Sequence, residues 1–197
     1  MKYKREDIFI GSELVSNGGD IMVVIDTKKV PRKPPSKAIH NMALVQFKDT
    51  PHTKWVYFEN LTAGKVKNPY RITRAGVGYL GEFTKTSYSA RARELWSNML
   101  ARCYTDRDKG YLKWGTEVDV RWHCFANFLE DLPNLTNFDK WLENGKVKYN
   151  LDKDLKAGKQ NIYSLNTCMF LDEHTNKSDG GKCRGEDYYR NQVMAGN

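Results

Sequence analysis

The stretch YNLDKDLKAGKQNIYSLNTCMFLDEHTN, Tyr149 to Asn176, decides how the second half of the chain is read. YNLDKDL has the composition of a strand or strand end, KAGKQN of a turn, and IYSLNTCMFL of a second strand. DEHTN then opens a helix, with Asp172 placed to cap it. At the exit of the first strand stands Asp152-Lys153-Asp154. Asp152 and Asp154 are alternate carboxylates at a strand end that can pair with Lys153 or Lys156.

Upstream the apolar period is helical. Ala92, Leu95, Trp96, Met99, Leu100 and Cys103 share one face of a helix that Ser87 or Ser89 could cap. Arg91, Asn98 and Arg102 lie on its polar side. TEVDVRW is a short β-like run, and RWHCFANFLEDL puts Trp122, Phe125, Phe128, Leu129 and Leu132 on one helical face ahead of Pro133. FDKWLENG adds a further helical turn or two, stopped at Gly145.

The N-terminal part reads as β structure. DIMVVIDTKK (20–29), MALVQFKDT (42–50) and KWVYFENL (54–61) are β-rich, with SNGGD and KDTPHT as turns. KKVPRKPPSK, with three prolines and five Lys/Arg, predicts a projecting cationic loop. Short strands in this number suggest a small SH3-like barrel. GKVKNPYRITRAGVGYLGEFTKTS (64–87) reads as a connector and SDGGKCRGEDYYRNQVMAGN as a loosely held tail. The expected fold class is α+β, with a basic SH3-like β domain and connector over 1–80, a helical and ββα-finger domain over 81–177, and a tail over 178–197.

Charge separates these parts. The chain carries +8 overall, and residues 1–80 hold 14 Lys/Arg against 7 Asp/Glu. A basic module suits nucleic acid, where phosphate neutralisation supplies most of the affinity. The candidate contacts are Lys28, Lys29, Arg32, Lys33, Lys65, Lys67, Arg71 and Arg74, with Arg91 and Arg102 from the helix. The four cysteines form no CxxC pair, which argues for reduced buried thiols rather than a zinc site. No apolar run approaches the ~18 residues needed to span a bilayer, and MKYKREDIFIGSEL lacks the apolar stretch of a signal peptide. The expected location is the cytoplasm, with no membrane partner.

Residues 94–176 resemble phage-encoded members of the HNH, or ββα-metal (His-Me) finger, endonuclease superfamily. The resemblance rests on W-x-x-M-x-x-R-C-Y at Trp96–Tyr104, V-x-x-x-W-x-x-F-x-x-F at Val118–Phe128, L-D-K-D at Leu151–Asp154 and Y-S-x-x-T-C at Tyr163–Cys168. It implies a metal-dependent DNA endonuclease or nickase that hydrolyses phosphodiester bonds in a bacterial host's cytoplasm. Asp152 and Asn176 fall on the metal ligands, for Mg2+ or another divalent ion, and Lys153 falls on the catalytic histidine.

The chemistry explains the pattern. A divalent ion on an Asp and an Asn oxygen neutralises the scissile phosphate, while a neutral imidazole takes a proton from water. A lysine keeps its proton at neutral pH, so it can neither accept one nor sit easily beside a dication. Lys153 would then stabilise developing phosphate charge, with His174 or His123 as base. Alternatively the metal alone would generate hydroxide, or the finger would only bind DNA. Two non-enzymatic alternatives stand beside the nuclease: an inactive DNA-binding protein, and a phage interaction protein that grips a host protein through its small β domain.

Overall fold

The computed structural model describes residues 2–31, 35, 38–107, 114–143, 145–157 and 160–178, with backbone alone for Leu155, Ala157, Asn176, Lys177 and Ser178. The expected tail beyond Ser178, Cys183, and the candidate contacts Arg32 and Lys33 lie outside the described residues. The fold is α+β and divides into two compact units, Met1–Arg71 and Ile72–Asn197.

The first unit is an antiparallel meander in the order β1 (Glu13–Val15), β2 (Ile21–Pro31), β3 (Ile39–Phe47), β4 (Thr53–Tyr57), followed by the short helix α1 (Phe58–Thr62). Strict alternation explains its inner face. Met22, Val24, Ala43, Val45, Phe47 and Val56 point one way and close a core with Ile8, Leu14, Leu61 and Val66. The β1–β2 turn is held by Ser16 Oγ, which accepts from Gly18 N and Asp20 N at 3.1 and 3.0 Å. Gly19 there takes φ +85°, the left-handed region that glycine enters without strain.

Where an SH3-like barrel was expected, the described sheet is open. Its order ends at β1 on one side and β4 on the other, with no closed barrel among the described residues. A bulge between Val24 and Asp26 shifts the register, and past the Lys28–Met42–Tyr57 row β2 and β3 run on beyond β4 as a two-stranded arm to Pro31 and Ile39. Of the stretch expected as the KKVPRKPPSK loop, Lys28 to Pro31 are strand.

In the second unit, α2 (Ser89–Tyr104) buries Ala92, Trp96, Met99, Leu100 and Cys103, the face its spacing called for. Neither serine caps it. The N-cap is Tyr88, and Ser89 Oγ accepts from Thr86 N at 2.8 Å, securing the turn before the helix. RWHCFANFLEDL is not one helix but a 3-10 turn, Val120–His123, then α3 (Phe125–Asp131). The break falls at Cys124, whose extended backbone forms a bridge to Tyr79. A helix α4 (Phe138–Glu143) follows.

The long expected strand IYSLNTCMFL is likewise two. β7 (Ile162–Tyr163) pairs in parallel with β5 (Glu117–Val118), whereas β8 (Met169–Asp172) pairs antiparallel with β6 (Tyr149–Asp152). Between them Ser164 and Thr167 exchange bonds: Ser164 N donates to Thr167 Oγ1 at 3.0 Å, and Thr167 Oγ1 donates to Ile162 O at 2.6 Å. Hydroxyls that satisfy local backbone in this way compete with the ladder. A single helical turn, α5 (Asp154–Ala157), leaves β6, and α6 (Glu173–Ser178) leaves β8.

The expected connector 64–87 is packed along much of its length. Val66 is buried in the first unit, while Ala75, Val77, Leu80 and Phe83 pack on the core of the second.

Candidate functional site

Asp152 and Lys153 sit where β6 ends. In the register Asp152 faces Met169, and α6 follows directly from β8. Asp172 caps that helix, accepting from Thr175 N at 2.9 Å and Thr175 Oγ1 at 2.6 Å. Those two bonds hold its carboxyl below the ordinary range.

Lys153 does not face solvent. It is 6% exposed, its ammonium pairs with Asp154, and it lies 5.8 Å from the centroid of the buried Tyr163 ring. Two buried thiols flank this interior. Burial pushes Cys103 up to about 11 and Cys168 up to about 12, and the Lys153 charge draws each back only in part. Asp152, 9% exposed, acts on Cys168 in the opposite sense. The centre is thus a lysine held among carboxylates, thiols and an aromatic ring.

The other proposed participants are placed differently. His174 is exposed on the first turn of α6. His123 is half-buried, with Nε2 3.1 Å from Tyr104 Oη and its ring edge-on to Tyr104. The Asn176 side chain lies outside the described residues. No group of three or more His, Cys, Asp or Glu that could hold a metal ion occurs among the described residues. The donors that are described fit a dication poorly. Asp152 is largely buried, and the next residue already brings a fixed ammonium into the same interior.

The basic candidates divide by what their charges touch. Arg71 donates to Gly18 O and to the buried Asp20, whose other oxygen accepts from Asn68 N at 3.3 Å; it ties the end of the first unit to the β1–β2 turn. Arg91 lies 4.2 Å over the Trp141 ring and donates to Trp141 O at 2.5 Å, and burial lowers its pKa. Both therefore serve intramolecular packing. Lys28, Lys29, Lys65, Lys67, Arg74 and Arg102 are exposed. Lys65 and Lys67 alternate with buried Val66 and Asn68, which turns both lysines outward.

The sequence reading missed the outer face of the N-terminal sheet. Lys28 Nζ lies 3.7 Å from the centroid of Trp55, and the His40 and Tyr57 rings are 4.7 Å apart. A signal was present: HNMALVQF is apolar in both alternating sets, so the strand has no purely polar face.

Comparison with protein-family models, curated proteins and solved structures gave no match. No helix among the described residues is long and apolar enough to cross a membrane.

The buried thiols predict a pH dependence. Both have raised values, so the folded state keeps protons that the unfolded chain releases near the ordinary thiol value of 9.0. Their contribution is complete below pH 9.0 and is lost as pH rises through about 11 and then about 12. Tyr104, also raised by burial, adds in the same direction. The denaturant midpoint should fall on going above pH 9.0, and Cys168→Ala should fall less steeply than the wild-type chain. Parallel curves would show that these thiols carry none of the effect.

Proposed function

We propose that this chain is a DNA-binding protein built on a nuclease-like finger, with phosphate contacts from its basic N-terminal unit and a structural role for the Asp152–Lys153 centre. The observation that carries this reading is the burial of Lys153 at the finger position where hydrolysis calls for an accessible proton acceptor. Paired with Asp154, its ammonium is a donor already in use. The +7 of residues 1–80, with Lys28, Lys29, Lys65 and Lys67 exposed, supplies the phosphate-neutralising charge.

Metal-dependent nicking is the second reading. It is favoured by the element order β6, β8, α6, with Asp152 ending the first strand and Asn176 on the helix, although the register sets Asp152 opposite Met169 and starts α6 at the other end of the ladder, where Asp172 pairs with Tyr149.

One experiment separates the two. Duplex DNA affinity is measured against salt in EDTA and in magnesium or manganese, with supercoiled plasmid as the cleavage substrate. The expected result is metal-independent binding without nicking, with log K falling steeply against log salt, a slope of about −5 for six phosphate contacts. Nicking that needs the metal and is lost in Asp152→Ala would establish the nuclease instead. Absence of DNA binding at low salt would remove both.

A further inference from the structure

The outer face of the N-terminal sheet has a composition that the duplex-binding reading does not require. Register fixes its members. Lys28, Met42 and Tyr57 are partners across three strands, as are Asp26, Leu44 and Trp55, and Val30 faces His40. Partners share a face, and this one is opposite to that of Val24, Ala43, Val45 and Val56, which form the core. The face therefore presents two aromatic groups, Trp55 with Lys28 over its ring and Tyr57 with His40 tilted against it. Tyr57 is 42% exposed, and Met42, Leu44 and Trp55 are partly exposed. Glu13, on this face beyond Val23 and Gln46, pairs with Lys48, and Asp26, also on it, accepts from Thr27 N at 2.7 Å. Asp26 marks one end of the patch, so the favourable field runs from Lys28 toward the arm.

Exposed rings beside a lysine, in a unit of net positive charge, match one polymer: a strand whose bases are free to stack and whose phosphates need neutralising. A duplex keeps its bases stacked on one another and offers such rings only its groove edges. We propose that this face binds single-stranded DNA, with bases stacking on Tyr57 and Trp55 and Lys28 contacting the phosphates. The proposal rests on the DNA-binding reading and names the form of DNA that this face selects. The Lys28–Trp55 contact positions both groups before binding. The Lys28 ammonium lies over the Trp55 ring and can shift to a phosphate as a base takes its place.

The test is fluorescence anisotropy with a labelled oligothymidylate and, separately, a labelled duplex, on the wild-type chain and on Tyr57→Ala, Tyr57→Phe and Lys28→Gln. Tyr57→Ala is expected to weaken oligothymidylate binding about tenfold and duplex binding by less than about twofold, since one base stack contributes on the order of a tenfold factor. Tyr57→Phe keeps the ring and the affinity. Lys28→Gln weakens the single strand and reduces its salt slope by about 0.7, one phosphate contact. Thermal melts by circular dichroism confirm that each variant is folded, and Lys28→Gln, at an exposed site, tests the face even if Tyr57→Ala unfolds. Wild-type binding to duplex but not to oligothymidylate overturns this inference and leaves the DNA-binding reading standing. So do variants that bind the single strand like wild type, or that lose both forms equally. Wild-type binding to neither form overturns both.

Discussion

Trp96→Ala should lower the stability of the second unit by about 3–5 kcal/mol, the range for deleting a large buried aromatic side chain. Trp96 is fully buried on α2, lies 5.5 Å from the Phe125 ring centre, and donates Nε1 to Trp122 O at 2.7 Å. Alanine therefore opens a cavity and leaves a buried carbonyl without its donor, a penalty of about 1–3 kcal/mol contained in that range. Collapse cannot fill the gap easily. Gly78 backs the indole so closely that a Cβ there would lie 3.0 Å from Trp96 Cζ2 and would also press on Leu100. Urea unfolding followed by far-UV circular dichroism measures the change. A loss under about 1 kcal/mol would mean that this core relaxes far more readily than its close packing implies.

That tryptophan was legible in the sequence, because α2 is long and its apolar period unbroken. A 16-residue helix with six buried positions leaves little room for another reading. The N-terminal core was legible for the same reason with a period of two. Closure was not, because alternation assigns faces but says nothing of whether the first and last strands meet. The split of IYSLNTCMFL into β7 and β8 was also missed, although Ser164 and Thr167, three apart, are the residue types that turn a strand by satisfying their own backbone.

The functional residues divide along a similar line. Exposed lysines beside buried neighbours could be inferred locally. The employment of Arg71 by Asp20 and of Arg91 by Trp141 could not, since 51 and 50 residues separate the partners. Lys153 is the sharpest case. Asp-Lys-Asp reads as a hydrated charge cluster, yet Lys153 is buried, with the ring of Tyr163 from another segment 5.8 Å from its ammonium. A local pattern can point to a finger-like element here but not to the environment of its central side chain.

That environment makes Lys153→Glu the second large effect, on the order of 3–5 kcal/mol, the penalty for a buried charge left without compensation. The new carboxylate would stand between Asp152 and Asp154, in a site where burial already keeps two thiols neutral. Like charge and desolvation act together against it, so either the glutamate takes up a proton or the second unit opens. Acidification should then partly rescue the variant: its folded-state value is raised, so its penalty shrinks as pH falls and grows as pH rises. Lys153→Met separates charge from function. It keeps the length of the side chain and removes the ammonium, and a fold with unchanged duplex affinity is expected, because the buried ammonium is not one of the phosphate contacts. Unfolding is read by urea titration at pH 5 and pH 8, and affinity by anisotropy on the same samples. A stable Lys153→Glu together with a Lys153→Met that no longer binds DNA would reverse the assignment, turning Lys153 from an internal ion into a group that reaches the nucleic acid.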